Sequence, residues 1–318
     1  FLNFIINFLF LFYLILTLLG IKEFNVWNQI TVLISEPNFQ DLLITLRNMF
    51  IGKHAHIFRL ILLSPVMLLA HILNMKINYL FSIVIVILIF IMTKILNNLS
   101  QKLIPKKIPS LTIPFILIII TFFLNGRGIL SMFGITLILN AYYYNLLKLF
   151  SLKKFTSHVL LGCFFCSVSS GTFSVALGSI ILFFLGKIIK DFPKIHKNYL
   201  KLYLIFFMIF LLLTSEIIKL INKNLLFYEG SIIKMIDHGL GSVVPTSFVL
   251  LTIGLIISIS PLLFIILKKL LKKHLLYQVT LPLILSSLSI GVFGWLSLFV
   301  CFPAIIIIIE FHINSKKT

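Results

Sequence analysis

Apolar residues run in long blocks along this chain, separated by short tracts rich in lysine, arginine, asparagine and proline. A helix that crosses a membrane needs roughly 20 predominantly apolar residues. By that rule, blocks 1–20, 57–73, 79–96, 111–124, 129–147, 200–221 and 246–267 each predict one spanning helix. Two further blocks, 158–186 and 275–309, are longer than one helix needs. The small-residue patch Ser167-Val168-Ser169-Ser170-Gly171-Thr172 interrupts the first near its middle, and Gly291-Val292-Phe293-Gly294 lies near the middle of the second. Broken or re-entrant hairpins are expected there, with the first break at Ser169-Ser170-Gly171, where hydroxyls can partner backbone groups freed from helical bonding. The pattern predicts an all-α, polytopic integral membrane protein of about nine to eleven membrane segments. It forms a single membrane domain over 1–318, with an external loop at 222–245 and no soluble domain.

Composition agrees. Hydrophobic residues make up 60% of the chain and charged residues only 11%, against about 25% in soluble domains. The mean hydropathy is +1.16. The chain opens on Phe1 rather than Met, so its start is expected to be incomplete. Block 1–20 is too long and uniformly apolar for a signal-peptide core and reads as a span.

Charge then sets the expected sidedness. The net charge is +19, from 27 Lys and Arg against 8 Asp and Glu. In a soluble protein such an excess points to nucleic acid. Here the cations lie in short tracts between spans, as in loops that face an anionic inner leaflet, so no nucleic-acid partner is expected. Lys148, Lys153 and Lys154 precede the first long block, and Lys187, Lys190, Lys194, Lys197 and Lys201 follow it. A hairpin returns both flanks to the cytoplasm. With Phe1 outside and both long blocks folded as hairpins, only Lys76, Arg127, Lys219, Lys223 and Lys234 face outward. Arg47, Lys53 and Arg59 then count as cytoplasmic.

Candidate chemistry is sparse. Arg127, between Gly126 and Gly128, sets a permanent cation where hydrocarbon meets water, with a planar fork suited to phosphate. An interfacial arginine reaching toward lipid head groups has the same pattern. Lys234, Asp237 and His238 share one face of a helical turn. There Asp237 or His238 could act as a general base toward a sugar hydroxyl while Lys234 steers an anion. A solvated loop ending in a cap at Gly239 fits as well, and Glu229 is a spare acid or a simple loop charge. Ser167, Ser170, Ser174 and Gly178 form a small-residue stripe, either for close helix packing or for presenting the hydroxyls of Ser169 and Ser170 to substrate oxygens. Cys163-x-x-Cys166 has the spacing of a redox or zinc pair but lacks a second pair, so it reads as small apolar lining. His54, His56 and Arg59 lie where a loop enters a span, without metal-ligand spacing. No metal site or cofactor is expected. The absence of Asp-x-Asp, Walker and Gly-x-Ser-x-Gly arrangements argues against metal-dependent sugar-nucleotide transfer, ATP hydrolysis and serine hydrolysis.

Several of these features occur in a particular order. Glu36-Pro37-Asn38-Phe39 follows the first span, and Lys106-Lys107 precedes a span ending in Gly126-Arg127-Gly128-Ile129-Leu130. Tyr142-Tyr143-Tyr144, then Lys153-Lys154-Phe155, then a short apolar half-helix lead to the polar patch. Over 36–186, about half the chain, this order resembles the Wzy/EpsG-type polymerases of bacterial membranes. The resemblance implies polymerisation of polyprenyl-diphosphate-linked oligosaccharide repeats into O-antigen, capsule or exopolysaccharide at the outer face of the inner membrane. The protein would then be a membrane-embedded glycosyltransferase, with membrane lipids, a chain-length regulator and a flippase as partners. Arg127 would hold the diphosphate, and Lys234, Ser169, Ser170 and Glu229 would contact substrate. The chain departs from the family in having Arg127-Gly128 where Arg-Gln-Gly is frequent, and Val168-Ser169-Ser170 where a histidine precedes the serine. The resemblance also places the Glu36-Pro37 loop outside, whereas the charge distribution places it inside. The alternatives are a transporter or flippase for a lipid-linked or anionic solute, using the broken segment as its site, and an assembly subunit without chemistry of its own.

Overall fold

The computed structural model describes residues 39–51, 57–103, 112–123, 127–149, 151–191, 222, 226, 230–231, 234, 275–291 and 295–315. Every regular element among them is a helix. In chain order these are α1 (Phe39–Ile51), α2 (Ile57–Ile72), α3 (Ile77–Leu103), α4 (Thr112–Phe123), α5 (Arg127–Leu146), α6 (Leu152–Cys166), α7 (Ser170–Asp191), α8 (Leu275–Gly291), α9 (Trp295–Phe299) and α10 (Phe302–Ser315). The expected spans 57–73, 79–96, 111–124 and 129–147 correspond to α2, α3, α4 and α5. The expected spans 1–20, 200–221 and 246–267 lie outside the described residues. Helix α1 falls where the sequence predicts only a loop: Leu42 and Met49 are buried on one face, while Ile44, Phe50 and Ile51 are exposed.

Two segments among the described residues, Tyr79–Lys102 and Gly128–Leu146, are long and apolar enough to cross a membrane. Helices Ile57–Ile72, Ser170–Gly186 and Leu275–Ile290 are apolar but shorter. Each long block holds more than one helix, and residues 292–294 of the second lie outside the described residues. The first breaks between Cys166 and Ser170, slightly ahead of the expected position, so that Ser170 and Gly171 already belong to α7. The second divides into α8, α9 and α10, with α8 ending at Gly291.

The chain forms two compact units, Phe1–Phe173 with Phe302–Thr318, and Ser174–Cys301. In the first unit, α5 and α6 share the most extensive helix contact, α3 packs on α4 and α5, and α10 lies against α3, α4 and α5. Helix α5 is buried almost all round, and Tyr142 is its largest fully buried side chain. The α5–α6 contact is close because its centre has no side chains. The Cβ position of Gly134 lies 2.5 Å from the Gly162 carbonyl oxygen, and that of Gly162 lies 2.7 Å from the Gly134 carbonyl oxygen. Small residues let two backbones approach to this distance and gain dispersion contact, which is what holds helices together where lipid and side chain are equally apolar. Phe133 and Phe165 meet edge to face at 4.8 Å beside the glycines.

Several hydroxyls inside the helices are satisfied locally, whereas that of buried Thr93 in α3 has no hydrogen-bond partner. Thr121, Thr136 and Thr280 each donate to the carbonyl four residues back. Pro65 removes a backbone donor inside α2, and Ser64 Oγ donates to the Ile61 carbonyl left short by it, at 2.9 Å. In the second unit, Ser286 of α8 donates to the Val175 carbonyl at 2.8 Å, with its Oγ 2.5 Å from the Cβ position of Gly178. This part of the predicted small-residue stripe is therefore a packing surface.

Candidate functional site

At the break between α6 and α7, side-chain hydroxyls and backbone N–H groups supply donors to several carbonyls. Ser167 caps α6, its N–H shared between the Cys163 and Phe164 carbonyls, and its hydroxyl donates to Phe164 O at 2.6 Å. The Ser169 N–H reaches the Cys166 carbonyl at 3.4 Å. Thr172, fully buried, places its hydroxyl 2.5 Å from the Cys166 carbonyl and 3.0 Å from the Ser169 carbonyl, so one proton serves both. The same oxygen accepts a hydrogen bond from Ser131 Oγ of α5 at 3.1 Å. Cys166 directs its thiol toward the Ser131 carbonyl at 3.5 Å.

The carbonyl of Val168 accepts a hydrogen bond from Arg59 Nε at 2.7 Å, from a residue 109 positions earlier in the chain. Arg59 is only 7% exposed and lies in the first turn of α2. A guanidinium stays charged under all ordinary conditions, so its burial carries a large desolvation cost that donated hydrogen bonds must offset. An ionised residue inside an apolar helix assembly marks a functional site by default. Arg59, expected where a loop enters the span 57–73, is thus buried in the first turn of that helix. It lies against a helix break.

Of the residues predicted from sequence, Ser169 and Ser170 lie at this break. Arg127 opens α5 four residues before Ser131, about 6 Å along the helix axis. The backbone of Arg127 thus begins one turn from the residue that binds Thr172, which brings the Arg127 end of α5 to the same end of the unit as the small-residue patch. Its side chain lies outside the described ones, as do Glu229, Asp237 and His238. Lys234 is described and exposed, its backbone N–H 3.3 Å from Ser231 Oγ.

Cys163 and Cys166 are free thiols. Cys166 helps to pack α6 on α5 rather than pairing with Cys163. Arg59, Ser131 and Thr172 were not singled out as binding the break. One signal for Arg59 was present, a cation inside the apolar block 57–73. A signal for the α5–α6 contact was the spacing Ser131-x-x-Gly134 facing Gly162-x-x-x-Cys166.

At the far end of α5, Lys102 near the end of α3 hydrogen-bonds the Tyr144 hydroxyl, its ammonium 4.2 Å from the ring centroid. Tyr143 and Tyr144 meet edge to face at 5.5 Å. The C-terminal ends of α3 and α5 therefore lie side by side, and Arg127 is at the opposite end of α5. No protein-family model, no curated protein and no solved structure matches the chain.

Proposed function

We propose that this chain is a polytopic protein of the bacterial inner membrane that polymerises polyprenyl-diphosphate-linked oligosaccharide repeats at the outer face. Arg127 grips the diphosphate beside the α6–α7 break. The acceptor hydroxyl oxygen attacks the anomeric carbon of the donor sugar, a glycosidic bond forms, and the bond to the diphosphate breaks. Polyprenyl diphosphate leaves with its developing charge stabilised by the guanidinium, and Asp237 or His238 takes the acceptor proton. Lys234 steers the anionic donor, Glu229 is a further substrate contact, and Ser169 and Ser170 offer hydroxyls to the donor.

The observation that supports this reading most directly is the Ser131–Thr172 hydrogen bond, which ties the Arg127 end of α5 to the broken helix. Arg127→Ala is expected to lower polymer output by about 10²–10³ while the protein stays in the membrane, in line with loss of one charge-stabilising donor. Full-length polymer from that variant at normal yield removes Arg127 from the mechanism.

The Arg59–Val168 contact favours a second reading, a transporter for a lipid-linked or anionic solute. In such proteins a broken helix with its own unwound backbone forms the solute site. Lipid analysis of a deletion strain separates the two. Loss of a polymerase leaves single repeats on the outer leaflet, and loss of a flippase strands them on the inner one.

A further inference from the structure

Ser169 differs from the hydroxyl residues on either side of it. Ser167 gives its proton to the Phe164 carbonyl, and Thr172 gives its own to the Cys166 and Ser169 carbonyls. The Ser169 hydroxyl makes no hydrogen bond among the described residues, and the residue is only half-buried. The backbone of Ser169, by contrast, is held on both sides. Its N–H reaches the Cys166 carbonyl at 3.4 Å, and its carbonyl accepts from the Phe173 N–H and from the Thr172 hydroxyl, each at 3.0 Å. The peptide group that leads into Ser169 carries the Val168 oxygen at its other edge, and there Arg59 Nε donates at 2.7 Å. A peptide group is planar, so gripping its oxygen fixes the Cα of the residue that follows. Of the two bonds to this plane, the one from the guanidinium is the shorter and is charge-assisted, so Arg59 is the stronger hold.

The grip comes from outside the three helices that build the break. Arg59 is buried on α2 together with Leu60, Leu63, Met67 and Ala70, and α2 packs on α1 and α3. A tight turn closes α2 onto α3, with the Met75 N–H on the Ala70 carbonyl at 2.9 Å and the Asn74 N–H on the His71 carbonyl at 3.1 Å. The guanidinium is therefore delivered from a braced platform to a three-residue segment that has no helix of its own. We infer that Arg59 is a positioning residue: through the Val168 carbonyl it aims the Ser169 hydroxyl at an oxygen of the lipid-linked donor. It acts through Ser169 and not on the substrate itself. The inference rests on the reading of the chain as a polymerase with Ser169 in its donor site.

The test is polymerisation by the full-length protein in vesicles, supplied with lipid-linked repeats extracted from the deletion strain, with KM for the repeat and kcat per folded protein measured separately. Arg59→Met keeps most of the side-chain length and removes the donor. It should raise KM about tenfold, as when only a tenth of the breaks hold the competent arrangement, and leave kcat within about twofold. Arg59→Lys keeps a donor without the fixed Nε–H direction and should fall between. Ser169→Ala should raise KM by a similar factor, and Arg59→Met should add nothing to it, because both changes remove the same contact. If Arg59→Met does not fold, Arg59→Lys with Ser169→Ala completes the same cycle. Effects that multiply in the double variant overturn the positioning role. So does a lower kcat with unchanged KM, which is what a merely structural contact gives. A wild type that makes no polymer from the repeats overturns the polymerase reading and this role with it.

Discussion

Gly134 and Gly162 oppose each other so closely that a methyl group on either would meet the other's carbonyl oxygen, at 2.5 Å from Gly134 and at 2.7 Å from Gly162. The obstacle is backbone on both sides, so no rotamer change relieves it. Gly134→Ala and Gly162→Ala should each force α5 and α6 apart and cost about 1–3 kcal/mol. Gly186→Ala is the control. Nothing lies within 4 Å of a Cβ there, and alanine favours the helix by about 0.5–1 kcal/mol. Unfolding by dodecyl sulfate in mixed micelles measures all three. If Gly134→Ala unfolds no earlier than wild type, the close contact does not exist in the folded protein.

Removing Arg59 should loosen the break before it unfolds anything else. Its hydrogen bond to Val168 O is charge-assisted, a class worth about 1.5–3 kcal/mol, so Arg59→Ala should raise the population of locally opened states roughly tenfold or more. Cys166, fully buried beside the break, reports on that opening. Its reaction with a small maleimide, read by peptide mass, should speed up in proportion. Arg59→Lys should recover only part of the protection, because an ammonium cannot reproduce the fixed Nε–H direction. Unchanged Cys166 reactivity in Arg59→Ala means that the break is held by its own hydroxyls.

These two contacts show where sequence reading stops. The apolar blocks match the boundaries of α2, α4 and α5 closely, because length and hydropathy are local properties and a helix is a local structure. Helix α3, in contrast, continues past the apolar block that ends at Leu96 to Leu103, through polar residues such as Asn97, Asn98 and Gln101. The break at 167–169 was legible as another local property, a run of small residues in otherwise uniform apolar sequence, and α8 ends at Gly291, the first residue of the second glycine-marked interruption. The Arg59 contact was not, because it joins residues 109 positions apart and no periodicity encodes that pairing. Arg127 and the small-residue patch stood out separately, yet only the packing of α5 on α6 brings the Arg127 end of the helix to the patch. Helix α1 was overlooked because its 13 residues are too short for a span and carry Asp41, Arg47 and Asn48 among the apolar positions.

Thr172 concentrates three hydrogen bonds on one buried hydroxyl. Thr172→Val keeps the shape and removes them all, leaving the Cys166 carbonyl to the Ser169 N–H, the Ser169 carbonyl to the Phe173 N–H, and the Ser131 hydroxyl to find another acceptor. Hydrogen bonds between helices in a membrane average only about 0.6 kcal/mol, so a loss of roughly 1–2 kcal/mol is expected from the set. Thr172→Ser keeps the oxygen and should lose less than half of that. The same unfolding titration distinguishes them, and equal losses for valine and serine show that the methyl group, not the hydroxyl, matters at this position.

The Lys102–Tyr144 contact makes a prediction about sidedness that is independent of the identity of any substrate. It sets the C-terminal ends of α3 and α5 together, and α5 has 20 residues, about 30 Å, enough to cross a hydrocarbon core. Whatever lies just before Arg127 must then face the compartment opposite to whatever follows Leu146. Single cysteines at Gln101, Leu147 and Asn125, in a chain whose native cysteines are replaced by alanine, test this with a membrane-impermeant maleimide applied to sealed vesicles of known orientation. Positions 101 and 147 should react from the same side and position 125 from the other. On the proposed topology, in which the lysines around 147 and 101 face inward, that shared side is expected to be the cytoplasm, so 125 should react in intact cells once the outer barrier is opened. Reaction of 125 and 147 from one side would mean that α5 does not cross the membrane. The Arg127 end would then never face the outer compartment, and an external polymerisation site built on it would be ruled out.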